Sequence, residues 1–112
     1  MRLASTDTDS ARVVTVDAAR IDAAVAIQFK EDMRRITDGG PRRVVLDLGQ
    51  VDFIDSSGLG AIVAAMKQMD ADGTLALAAP TETVRKVFRL TRMDTVFEIF
   101  DSLDEALGPR AT

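Results

Sequence analysis

Two adjacent hydroxyl side chains, Ser56 and Ser57, stand between an acid, Asp55, and two glycines, Gly58 and Gly60, in the run Val51-Asp52-Phe53-Ile54-Asp55-Ser56-Ser57-Gly58-Leu59-Gly60. The apolar residues before them have strand character and those after them open an amphipathic stretch, so the hydroxyls fall at a helix start. Free amides and the helix dipole at such a place favour a capping side chain, a carboxylate or a phosphate. Three readings compete. In the first, Ser56 or Ser57 is an ordinary N-cap and the glycines serve a tight turn. In the second, the loop cradles a nucleotide phosphate, although neither Gly-x-Gly-x-x-Gly nor Gly-Lys-Ser/Thr is present to support it. In the third, the Ser56 hydroxyl takes a phosphoryl group, adding about −1.5 to −2 of charge beside Asp55 at a helix end able to hold it. A partner docked there would meet new charge and bulk while the fold survives. Residue chemistry alone leaves the capping reading ahead.

Composition removes whole classes of function. The chain has 112 residues with no histidine and no cysteine, which excludes Ser-His-Asp hydrolysis, thiol catalysis, disulfides and nearly all zinc sites. Gly-x-Ser-x-Gly is missing too, so there is no nucleophile elbow. A hydrophobic fraction of 46% and a charged fraction of 29% suit one soluble domain over residues 1–112, and no apolar run approaches the roughly 20 residues that span a bilayer. Met1–Asp7 carries no secretory h-region, so the cytoplasm is the expected compartment. A net charge of −4 and a pI near 4.7 argue against direct nucleic-acid binding, which needs a basic face. Arg42-Arg43 and the set Arg85, Lys86, Arg89 and Arg92 read as solvated surfaces. No cofactor, metal site or membrane association is expected.

The elements that must position the serines are legible along the chain. Residues 1–10 either form an edge strand at Arg2–Ala4 or fray, and residues 108–112 are expected to fray. Arg12–Val16 is short and β-branched, hence a strand, and residues 17–20 connect it onward. From Ile21 the apolar period lengthens, with Ile21, Val25, Phe29, Met33 and Ile36 on one face of a helix that Asp22 is placed to cap and Gly39-Gly40-Pro41 ends. Arg43–Leu48 is a near-continuous apolar run, the mark of a central strand buried on both faces. Val51–Ile54 crosses the end of the sheet. The helix that follows places Leu59, Ile62, Val63, Met66 and Met69 inward, and Asp72-Gly73 closes it. Thr74–Ala78 is the next strand, Pro80-Thr81 introduces a helix turning Val84, Val87 and Phe88 inward, and Thr95–Phe100 alternates as a last strand. Ser102-Leu103-Asp104-Glu105 has capping-box form before a terminal helix. Strands joined by helices are parallel, so the class is α/β with a mixed, mostly parallel central sheet and about four helices.

The run Val44–Leu48, then Phe53-Ile54-Asp55-Ser56-Ser57-Gly58-Leu59-Gly60, then a helix ending Lys67-Gln68-Met69 closely resembles the STAS-domain anti-sigma-factor antagonists of bacteria. The resemblance includes Ile21-Asp22 and the 84–90 segment and weakens before residue 12. It implies a single STAS domain and a non-enzymatic partner switch. An anti-sigma serine kinase phosphorylates the serine, a PP2C-type phosphatase restores it, and the dephosphorylated form binds the kinase and frees its sigma factor. It implies Ser56 as the acceptor, Asp55 presenting the hydroxyl, Ser57 as cap, Gly58 and Gly60 letting the partner close on the loop, Leu59 as contact or first core residue, and Asp22 as a loop residue at the same end of the sheet. Family members often carry glycine three positions before that aspartate and threonine three after it, where this chain has Ala19 and Val25. The alternatives are a STAS adaptor controlling a secretion system, transporter or signalling enzyme, and, further off, a nucleotide-binding protein.

Overall fold

The computed structural model describes residues 1–108, and the rest of the C-terminal stretch expected to fray lies outside them. A five-stranded sheet runs β1 (Arg2–Asp7), β2 (Arg12–Asp17), β4 (Arg43–Asp47), β6 (Thr74–Ala78), β7 (Ile99–Phe100) across its width. β1 is antiparallel to β2 and every other neighbour is parallel, giving the mixed, mostly parallel α/β sheet. Residues 2–7 therefore pair along their length, with Arg2 opposite Asp17 and Asp7 opposite Arg12.

β4 is central, as its apolar run requires. Val44, Val45 and Leu46 are completely buried, and alternation sends Val44 and Leu46 to one face and Val45 to the other. The first face packs under α1 (Ala26–Thr37), α2 (Ser56–Lys67) and α3 (Glu82–Leu90), with Phe29, Met33, Ile62, Val84 and Phe88 at its centre. The second is shallower. Val45, Ala76 and Ala78 meet Ala106 of α4 (Leu103–Leu107), with Phe100 and Leu103 at the edge. Small residues on that face let a helix of one and a half turns lie close to the sheet.

Two elements and one helix cap differ from the sequence expectation. The first helix begins at Ala26 rather than Ile21, because Arg20–Ile21 forms a short strand, β3, paired in parallel with β5 (Phe53–Ile54). Ile21 is fully buried in the same core as Phe29, so its place in the apolar period reported burial correctly and the element wrongly. The strand expected over Thr95–Phe100 shrinks to Ile99–Phe100, since Arg92 turns at φ +59° into a 3-10 turn at Met93–Thr95. Phe97 then packs edge-on against Phe88, ring centres 5.9 Å apart, and this aromatic contact takes precedence over strand extension. At α4, Ser102 Oγ accepts the Glu105 amide at 3.1 Å as expected, but Glu105 reaches back to the Asp101 amide, one residue earlier than a reciprocal box requires.

Candidate functional site

The serines lie where the β3–β5 ribbon meets α2. Asp55 keeps extended backbone angles, φ −96° and ψ −175°, so its side chain stands outside the helix and is its cap. Its Oδ1 accepts the Gly58 amide at 2.8 Å and its Oδ2 accepts the Ala23 amide at 3.1 Å. One carboxylate thus starts α2 and ties it to the turn after β3. Ser57 is not the cap, nor is Ser56. They are the first two residues of the helix itself, and both are exposed. With the capping work done by Asp55, their hydroxyls stay at the surface.

The Asp55 carboxyl is held below the usual carboxylate value, first by the Gly58 amide, then by the amides of Ala23 and Ser57 and the positive charge of Arg20. Hydrogen bonds to the charged form favour it. A depressed carboxylate stabilises the fold above its unfolded value, about pH 3.9, and that contribution is lost as pH falls through the lower folded value. Acidification below about pH 4 is therefore expected to move the Gly58 and Ala23 amide resonances together in an NMR titration, and Asp55→Asn to remove the joint transition. Unmoved or separately moving amides would contradict the shared cap.

Gly58 is buried. A Cβ there would sit 1.8 Å from the carbonyl oxygen of Ile21, so the missing side chain serves the close approach of α2 to β3. That role was not visible from the sequence, where the glycines read as serving a tight turn and the family resemblance implied that Gly58 lets a partner close on the loop. Gly60 is exposed, with nothing within 4 Å of its Cβ direction. Leu59 is half-buried and packs against the main core. Its backbone N–H donates to the Asp55 carbonyl, the first turn of α2.

Asp22 does not cap α1. Its Oδ1 accepts the Ala24 amide at 3.1 Å and its Oδ2 the Arg20 Nε at 3.2 Å, while α1 starts after Val25 with no side-chain cap. The side chain is spent on its own turn, which sits beside Asp55 through the Ala23 bond. Asp22 and Asp55 therefore share the end of the sheet that carries the serines. Sequence reasoning missed Arg20 and Phe53. The guanidinium lies 4.2 Å from the centre of the partly exposed Phe53 ring, and only the pairing of Arg20 with Phe53 in the ribbon brings them together. The change from alternating to helical period near residue 21 was the available signal.

Among the described residues no cluster of His, Cys, Asp or Glu is arranged to hold a metal ion, and no helix is long and apolar enough to cross a membrane. A STAS-domain family model matches residues 2–106. The chain is 34% identical over 87 residues to BtrV of Bordetella bronchiseptica, provisionally named an anti-sigma factor antagonist, covering 77% of this chain and 75% of that one. It is 30% identical over 97 residues to the anti-sigma-B factor antagonist of Listeria monocytogenes, covering 84% and 83%. The crystal structure of an anti-sigma factor antagonist from Mycobacterium paratuberculosis superposes with a TM-score of 0.85 at 26% identity, over 95% of this chain and 90% of the other.

Proposed function

The chain belongs to the STAS-domain family, and from that premise we propose that it is an anti-sigma factor antagonist working by partner switching, with Ser56 as the phosphoryl acceptor. The observation that carries this is the division of labour at the start of α2. Asp55 caps the helix by accepting the Gly58 amide, leaving the Ser56 hydroxyl exposed on the first helical residue. The unphosphorylated protein binds an anti-sigma serine kinase through the surface formed by Asp22, Asp55, Ser57, Leu59 and Gly60, releasing the sigma factor. A PP2C-type phosphatase resets the serine.

In the transfer, Ser56 Oγ attacks the γ-phosphorus of ATP held by the kinase. The Oγ–P bond forms as the bond from that phosphorus to the β,γ-bridging oxygen breaks, and ADP leaves. The hydroxyl proton passes to a base of the kinase. This chain has no histidine, and the oxygens of Asp55 already accept backbone amides. Its own part is that of acceptor and ligand.

Incubation with the anti-sigma kinase and ATP, read by intact mass, is expected to add one phosphoryl group to the wild-type chain and none to Ser56→Ala. PP2C-type phosphatase is expected to reverse the gain. Transfer that persists in Ser56→Ala, or no transfer to the wild type, would defeat the assignment.

A further inference from the structure

We propose that Arg20 is the internal counter-ion of phosphorylated Ser56, drawn off Asp22 when the phosphoryl group arrives. This rests on the reading of Ser56 as the acceptor. In the β3–β5 ribbon Arg20 pairs with Phe53 and Ile21 with Ile54. Ile21 and Ile54 are buried while Arg20 and Phe53 are exposed, so alternation turns Arg20, Asp22, Phe53 and Asp55 to the outer side. Arg20 reaches along the ribbon toward α2, its Nε donating to Asp22 at 3.2 Å and its guanidinium over Phe53. Ser56 follows Asp55 directly, as the exposed first residue of α2.

The present pairing of Arg20 is a weak one. Its side chain is 60% exposed, and an exposed pair with a single carboxylate contributes little. A phosphoserine dianion carries more charge and three acceptor oxygens, and a guanidinium meets it in a fork of parallel bonds. Arg20 is the cation of this cluster. Asp52, Asp22 and Asp55 are the acids along the two strands and their turns, the first turn of α1 holds no acid, and α2 brings only Lys67, in its last turn. Without Arg20, the ribbon and α2 would offer the phosphoryl group only the helix end to balance these acids. Once Arg20 moves, the Asp22 turn keeps its amide bonds but loses the tether from Arg20 at the surface where the partner docks. Phosphorylation then alters two parts of that surface, the serine and the 22–25 turn.

The test installs phosphoserine at position 56 during translation, by stop-codon suppression, so that no kinase is needed. The second ionisation of the phosphoserine is followed by phosphorus NMR in the wild-type, Arg20→Gln and Arg20→Lys backgrounds. Arg20→Gln is expected to raise that ionisation by about half a unit to one unit, with Arg20→Lys between the two. The Arg20 Nε resonance and the Ala24 amide are expected to shift on phosphorylation of the wild type. An ionisation that is the same in the wild type and Arg20→Gln, or an unmoved Arg20 Nε, would overturn the proposal. A structural role for Arg20 alone would alter stability without moving the phosphorus titration. If the kinase experiment fails while this titration shifts, the functional reading falls and the counter-ion assignment stands.

Discussion

Gly58→Ala is expected to destabilise the protein by about 2–4 kcal/mol, against the direction that helix propensity alone dictates. In an exposed helix interior, alanine is favoured over glycine by about 1 kcal/mol. At Gly58 the added Cβ would lie 1.8 Å from the Ile21 oxygen and 2.6 Å from its carbonyl carbon, where ordinary contact begins near 3.4 Å. The obstacle is backbone, so no side-chain rotation relieves it. Relief requires the start of α2 to move off β3, which strains the bonds from the Asp55 amide to the Ile21 carbonyl and from the Ala23 amide to Asp55. The steric term therefore wins over propensity. At about 4–8 °C per kcal/mol for a domain of this size, thermal unfolding should shift down by well over 5 °C. Gly60→Ala, two residues on with open space around it, should stabilise by about 0.5–1 kcal/mol. Equal midpoints for the two variants in a thermal melt would show that the close approach of α2 to β3 does not exist.

Ser56→Asp is expected to weaken binding to the anti-sigma kinase by roughly 100-fold, about 2.7 kcal/mol, while the thermal midpoint stays within a degree or two. The two effects separate because they come from different surfaces of one residue. At the first position of α2 a carboxylate sits at the positive end of the helix dipole, which offsets the repulsion from Asp55. On the outward side, a partner that closes over an exposed hydroxyl meets a charge it must desolvate without a counter-ion, a cost that decides affinity at an interface. Ser56→Ala should bind like the unphosphorylated wild type. Titration calorimetry of the three forms against the kinase, with melts alongside, checks both halves. Undiminished binding of Ser56→Asp would show that charge at this position is not the signal, and a collapsed melt would show that the helix end does not tolerate it.

The fold is largely legible in the sequence. β4 announced itself by an apolar run too continuous for a half-solvated strand, and α2 and α3 by periods that place Ile62, Val84 and Phe88 in the core where they are found. The failures share a cause. Ile21 and Phe97 are both buried, and a local pattern reports that a residue is buried without reporting what buries it. Ile21 is covered through pairing with a strand more than thirty residues away, and Phe97 through a ring contact with α3.

At the site, the sequence by itself determined which groups are available: an acid, two hydroxyls and small residues at a strand-to-helix junction, in a chain without histidine or cysteine. Tertiary structure alone decided how the labour is divided among them. Asp55, Ser56 and Ser57 are all good capping residues, and which one caps depends on where the backbone leaves the extended conformation. That point is fixed by the β3–β5 pairing and the Ala23 bond. The two glycines look alike in the string, yet one abuts a carbonyl and the other faces open space. Short-range composition sets what a residue is able to do, whereas burial, cap identity and counter-ions are set by groups that only folding brings near.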